Sequence, residues 1–262
     1  MIKGDFINNV FLKTPLQLYL YNIISSKYNA RDNSLIVAGP DIIRHLYDAR
    51  ITFGKNSENY INIIELDKDV FKIQEKKLNE IKIEPGPVPL WISVNENFIP
   101  SEILPIDFKV NLLNIDINNV EVERIIDADL MGTIRKIGPT FINVFNKQCI
   151  KFNNDDKIKS FIFTASLRGC SEIDTVSWIR NELLIRIGSE IDFKINNDGS
   201  YKKTILTNDI RTRKSTNSNI KCNNIRLYER YEIIRKGRLE ELILFTYSDS
   251  KGPMITGLVV YK

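Results

Sequence analysis

Residues 61–94, INIIELDKDVFKIQEKKLNEIKIEPGPVPLWISV, read as strand, short basic helix, strand, turn and strand. Lys68, Lys72 and Lys76 recur at i, i+4 and i+8, which places them on one face of the helix. Val70, Phe71, Ile73 and Leu78 occupy most of the remaining surface and are expected to pack on the flanking strands. The unit is therefore a helix with an outward cationic stripe lying over a sheet.

Working outward toward the N-terminus, NYINII (59–64) is a strand leading into this helix. Before it come SLIVAG (34–39) and IIRHLYDARITF (42–53), the latter rich in the β-branched and aromatic residues of strands. Thr14 and Pro15 supply an N-cap and a first-turn proline. Leu16, Leu20, Ile23 and Ile24 then recur at helical spacing as far as Lys27, and INNVFLK (7–13) reads as a short strand.

Toward the C-terminus, Phe108 to Ile117 reads as an extended edge or connecting strand, with Asn118 and Asn119 as a turn. DADLMGTIRKIG (127–138) reads as a helix ended by Gly138-Pro139, with TFINVF and CIKF as short strands. SFIFTASL (160–167) is a strand, and Ser171 to Ile187 a helix whose Val176, Ile179, Leu183 and Ile187 share a face. A hairpin turns at Asn197-Asp198-Gly199. NIRLYERYEIIRKG (224–237) is expected to be a helix stopped by Gly237, with the strands EELILFTY and MITGLVVY after it. The pattern is a strand, helix, strands unit repeated about four times, an internal repetition that speaks to architecture.

The chain has 262 residues, 43% hydrophobic and 27% charged, with a net charge of +4. This is ordinary globular composition and excludes a disordered or fibrous chain. The mild positive balance permits nucleic-acid binding without requiring it. Three widely spaced cysteines, Cys149, Cys170 and Cys222, point away from a disulfide framework and from a zinc knuckle. No run approaches the roughly 18 apolar residues of a membrane span, and MIKGDF lacks a secretory leader. An intracellular, soluble protein without membrane contact is expected, in the nucleus or at a cytoplasmic replication site of a host cell if it is viral.

Chemistry-bearing motifs are sparse. Asp67 with Asp69, and Asp127 with Asp129, are spaced as metal ligands can be, but no further carboxylates join them and helix-start aspartate is the simpler reading. His45 is the lone histidine, so no His-paired site exists. There is no glycine-rich phosphate loop and no nucleophile motif. No catalytic residue, metal site or cofactor is expected, and the protein reads as a non-enzyme. Positive charge instead gathers on the expected helices: Lys27, then Lys68, Lys72, Lys76 and Lys77, then Arg180 and Arg186, then Arg226, Arg230, Arg235 and Lys236. Such a set can neutralise phosphates without reading bases, or it can be a set of solvated helix faces. Leu112, Leu113, Ile115 and Ile117 form an apolar edge for a partner peptide or a buried core strand.

The order of elements resembles the sliding clamps of the proliferating cell nuclear antigen family and their viral relatives. PDIIRHLYDARITF (40–53) is similar to the family's early strand pair, and INIIELDKDVFKI with EIKIE to its second helix and flanking strands. DFKVNLLNIDINNVEVE (107–123) looks like the interdomain connector, and WIRNELLIRIGSEIDFKINNDG (178–199) like the first helix and hairpin of the second domain. The resemblance implies an α+β fold of two similar domains, 1–117 and 159–262, joined by a connector and insert at 118–158. It implies a homotrimeric ring around double-stranded DNA, contacted without sequence specificity by the basic helices. A DNA polymerase or another replication or transcription factor would be tethered at Leu112, Leu113, Ile115, Ile117, Pro253 and Met254. The alternative from another class is a structural or scaffold protein of a virus or phage.

Overall fold

The computed structural model describes residues 16–17, 19–21, 23–30, 32–37, 59–83, 109–207, 227–249 and 252–262. Helical residues from Leu16 lead into a turn at Ile23–Lys27, followed by strands β1 (Ser34–Val37) and β2 (Tyr60–Ile64). Helix α1 (Lys68–Ile83) then connects to β3 (Lys109–Leu113), and a 3₁₀ turn (Ile117–Asn119) to β4 (Ile125–Thr133), α2 (Ile134–Lys151) and β5 (Lys159–Ser166). Helix α3 (Glu172–Trp178) continues through two tighter and wider turns to Ile187. The chain ends in β6 (Glu190–Phe193), β7 (Lys203–Thr207), β8 (Leu227–Tyr231), β9 (Ile233–Lys236), β10 (Leu239–Asp249) and β11 (Gly252–Tyr261).

Among the described residues, nine strands form one sheet in the order β3-β2-β1-β4-β5-β11-β10-β8-β7, and β6 pairs with β9 in a small second sheet. The first five run parallel. From β11 onward every pairing is antiparallel. A parallel pair needs a crossover connection, and α1 and α2 supply it. Right-handed crossovers that move in opposite directions along a sheet put their helices on opposite faces. The result is a doubly wound, Rossmann-like sheet extended by an antiparallel half.

Alternation along the strands divides the core in two. On the face covered by α2 and α3, Leu35, Ile126, Phe161, Phe163, Ile255 and Val259 pack with Phe141, Phe145 and Trp178. Phe141 alone meets the rings of Phe161, Phe163 and Trp178 at centroid distances of 6.1, 5.7 and 6.2 Å. On the opposite face Ile125, Ile162, Ile243, Phe245, Leu258 and Val260 pack with Leu16, Leu20, Tyr21 and Ile24 of the N-terminal helical stretch. Gly257 is required at the centre, because a Cβ there would lie 2.3 Å from Phe163 Cζ.

This architecture replaces the two similar clamp domains expected from the resemblance. A clamp is built from repeated antiparallel strand-helix-strands units, whereas β1–β5 here are parallel, with α1 between β2 and β3 and α2 between β4 and β5. The sheet draws β1–β3 from residues 1–117, β4 from 118–158 and its remaining strands from 159–262. The segment likened to an interdomain connector is β3, the edge of the parallel half. EIKIE does not open a strand, since α1 runs to Ile83.

Two local readings also change. DADLMGT belongs to β4, and α2 runs through Gly138-Pro139 and across the supposed strands TFINVF and CIKF. Proline inside a helix removes a hydrogen bond, but Ile134, Ile137, Phe141, Val144, Phe145 and Gln148 are buried along one stripe, and that burial outweighs the loss. Gly138 is the close approach to Trp178, whose Nε1 would lie 2.9 Å from an added Cβ. Second, LYERYEIIRK is two strands rather than a helix, because its backbone pairs with β7, β10 and β6. Among the described side chains of α1, Gln74 and Leu78 are buried, while Ile73 is exposed. The strands before 16 and the IIRHLYDARITF segment lie outside the described residues, as do His45, Cys222 and Arg226.

Candidate functional site

The C-terminal ends of the parallel strands lie at one level. Leu113 pairs with Ile64, Ile64 with Val37, and Val37 with Ala128. The chain winds one way from β1 through β2 to β3 and the other way from β4 to β5, so the order reverses between β1 and β4. In open α/β sheets this switch point leaves a crevice beyond the strand ends, where ligands bind. The next residues along form its rim: Asn114 after β3, Glu65 after β2 and Asp129 on β4.

Local bonding fixes the rim. Glu65 N donates to Leu113 O at 3.1 Å, continuing the β2–β3 ladder. Asn114 Nδ2 donates to the carbonyls of Glu65 and Leu66 at 2.7 and 3.2 Å. Glu65 Oε1 accepts from Asp67 N at 2.9 Å. Asp67 Oδ1 in turn accepts from Asp69 N and Val70 N at 2.9 and 3.1 Å, which caps α1 and bears out the helix-start reading at this pair. Asp116 does the same for the 3₁₀ turn, accepting from Asn118 N at 2.7 Å. Leu66 is 63% exposed beside Glu65, an apolar surface next to a carboxylate. Asp127 and Asp129 do not start a helix; they lie on β4, and Tyr21 OH donates to the buried Asp127 Oδ2 at 3.0 Å.

The opposite edge is closed by ion pairs and hydrogen bonds. Arg124 bridges Asp155 and Asp32, holding the Asp155 carboxyl below its ordinary range. Tyr60 OH donates to Glu123 Oε1 at 2.8 Å. Burial is the main reason that the Tyr60 hydroxyl is pushed up to about 12 and the Glu123 carboxyl above its usual range. Gln148 Nε2 donates to the carbonyls of Glu123, Arg124 and Ser160 at 2.9, 2.8 and 3.1 Å, tying α2 to β4 and β5.

The cationic residues singled out in the sequence are spread over several elements. Lys68, Lys72 and Lys76 are exposed on α1, with Lys77 half-buried. Lys27 pairs with Glu241 on β10, and that hydrogen bond raises its pKa. Arg180 pairs with Asp192 at 3.2 Å, and Arg186 is exposed near the end of the following turns. Arg230 is half-buried on β8, Arg235 on β9 reaches Glu241 Oε1 at 2.8 Å, and Lys236 ends β9. Leu113, Ile115 and Ile117 pack against the core with Leu112 half-buried beside them. Pro253 O accepts from Leu167 N at 2.8 Å, and Met254 is buried. Glu65, Leu66 and Gln17 were not singled out. A carboxylate directly after the apolar run NII was the available signal for the first.

The fold and rim define a class: a doubly wound α/β protein whose ligand crevice lies at the β1/β4 switch point. No family model matches the sequence, and no curated protein matches it. Among solved structures, the chain is similar to Pyrococcus horikoshii TYW2 in complex with MeSAdo, at 11% identity and a TM-score of 0.39, covering 94% of this chain and 61% of that one. It is also similar to an S-adenosylmethionine-dependent methyltransferase from Clostridium acetobutylicum, at 11% identity and a TM-score of 0.38, covering 98% and 79%. Likeness at this level determines neither activity nor substrate. The parallel sheet excludes the clamp unit. The non-enzymatic clamp, its DNA and polymerase partners, the homotrimeric ring and the scaffold alternative are all withdrawn. No helix among the described residues is long and apolar enough to cross a membrane.

Proposed function

We propose that this chain is an enzyme that binds a nucleoside cofactor at the β1/β4 switch point, with S-adenosylmethionine as that cofactor and methyl transfer as its reaction. The observation that carries the reading is the pairing of Glu65 and exposed Leu66 at the end of β2. An acidic residue at this place in a doubly wound sheet accepts hydrogen bonds from ribose hydroxyls, and a neighbouring apolar side chain gives a planar base a surface. Half-buried Ile115, beyond β3, supplies a second apolar wall.

Two features favour a nucleoside without phosphates over a dinucleotide. The residues that leave β1 read VAGPD (37–41), with one glycine where a pyrophosphate-cradling turn uses three. On the other side of the switch point, β4 and β5 are followed by antiparallel β11, so the second mononucleotide-binding half lacks its third parallel strand. When bound, S-adenosylmethionine supplies a methyl group activated by a sulfonium. The chain's part is to orient it: Glu65 holds the ribose, Leu66 and Ile115 flank the base, and Asp129 lies across β1 on the side where an acceptor enters.

Isothermal titration tests this directly. S-adenosylmethionine and S-adenosylhomocysteine should bind and NAD should not, and Glu65→Ala should weaken both nucleosides by about tenfold or more, as expected for a lost charge-assisted pair of hydrogen bonds. Absence of binding by either nucleoside overturns the reading.

A further inference from the structure

The sheet face beneath the N-terminal helical stretch changes character near the strand ends. On this face Asp127, Ile162, Leu258 and Ile243 form one buried, paired row, in which Asp127 accepts from Tyr21 OH. Two residues further along the parallel strands the paired row is Asp129, Thr164, Thr256 and Phe245. Thr164 and Thr256 are each 1% exposed, with their hydroxyls 3.0 Å apart, and Tyr247 OH lies 3.2 Å from Thr256 Oγ1. Polar side chains thus cross β4, β5 and β11 on this face, one row beyond the buried Asp127.

Gln17 belongs to the helical stretch that covers this face. The helical stretch descends from the C-terminal toward the N-terminal edge of the parallel strands. Tyr19 stacks edge-on against Phe245 at 5.9 Å, Tyr21 OH reaches Asp127, and Lys27 reaches Glu241 at the far edge. Gln17 lies one helical turn before Tyr21 on the same face, at or beyond the level of the Asp129–Thr164–Thr256 row. It is 1% exposed, and neither its Nε2 nor its Oε1 has a partner. A buried unpaired amide costs roughly 1–3 kcal/mol.

Resting on the nucleoside-cofactor reading, we infer that Gln17, with Asp129, Thr164, Thr256 and Tyr247, forms the acceptor-recognition slot, and that its ligand is the donor–acceptor edge of a nucleobase. A glutamine amide presents a donor and an acceptor side by side and pairs bidentately with such an edge. Asp129, partly exposed at the strand end, marks the entrance and accepts from an N–H group. The threonine hydroxyls donate or accept as the ligand requires.

The test uses the full chain with adenosine, guanosine, cytidine and uridine as probes, titrated by ligand-observed NMR with and without saturating S-adenosylmethionine. At least one nucleoside should bind alongside the cofactor. Gln17→Leu should weaken it by about tenfold, leave cofactor affinity within about twofold, and raise Tm by about 3 °C because the unpaired amide is gone. Thr256→Val, nearly isosteric, should give a smaller loss in the same direction and serves if the leucine variant does not fold. The inference is overturned if the cofactor binds and no nucleoside does, if neither variant changes nucleoside affinity, or if Gln17→Leu weakens the cofactor as much as the nucleoside. Should a nucleoside bind in a Gln17-dependent way while S-adenosylmethionine does not, the slot stands and the cofactor reading fails.

Discussion

The parallel and antiparallel halves of the sheet achieve burial by opposite routes. β1, β2 and β3 are four or five residues long, and as parallel neighbours they need crossover connections, which α1 supplies between β2 and β3. β10 and β11 are eleven and ten residues long and pair in one ladder as far as Asp249 and Gly252. β11 is nonetheless buried along nearly its whole length, because it sits between β5 and β10 with covered faces above and below. Position in the sheet, rather than strand direction, sets its apolar character. The short parallel strands end together and leave a crevice rimmed by Asn114, Glu65 and Asp129, whereas the long hairpin continues the wall.

The largest expected effect tests whether the two halves share one core. Phe141→Ala should cost about 3–5 kcal/mol by urea denaturation, in a single transition, because Phe141 lies in the cluster that joins Phe161 and Phe163 of β5 to Leu244 of β10 and Ile255 and Val259 of β11. Two separated transitions would break the halves apart. Gly257→Ala, at the seam between β5 and β10, should cost about 1–3 kcal/mol by overpacking against Phe163.

The closed edge of the parallel half gives a smaller effect with a pH signature. The Glu123 carboxyl is raised by burial, so the folded state holds its proton more tightly than the unfolded chain. Its contribution is fully present below the unfolded pKa of about 4.3 and is lost as pH rises through the higher folded value. Glu123→Gln, which keeps an acceptor for Tyr60, should therefore raise Tm at neutral pH, and the gain should vanish in acid. The same gain at every pH would sink the burial explanation. Smallest of all, Lys72→Glu with Lys76→Glu on the exposed face of α1 should move stability by less than about 0.5 kcal/mol and leave cofactor affinity unchanged in the same titration.

Much of the secondary structure was legible in the residues. β1, β2, β5, the α3 region, β10 and β11 follow from apolar runs or helical spacing, as does the start of α1, whose end lies beyond the expected stop, at Ile83. The failures share a cause. Pro139 and the β-branched content of α2 speak against a helix over any short window, but Phe141 and Phe145 find partners on β5 that are distant in sequence. The alternation in LYERYEIIRK fits a strand or a helix equally, and its partners β7, β10 and β6 decide between them. The candidate site was legible only in part. Asp67 was recognised as a helix start, but Glu65 gains meaning only when β2 is known to lie between β1 and β3.

By itself the sequence determined that this is a globular chain with a basic α1, apolar central strands and no phosphate-binding glycine loop, since composition and local periodicity are properties of neighbouring residues. Strand order, parallel pairing, the switch point and the burial of Gln17 were decided by the tertiary structure alone. Each depends on contacts between residues far apart along the chain, as Tyr21 with Asp127 and Thr164 with Thr256 are, and no local pattern encodes which strand a crossover will return to.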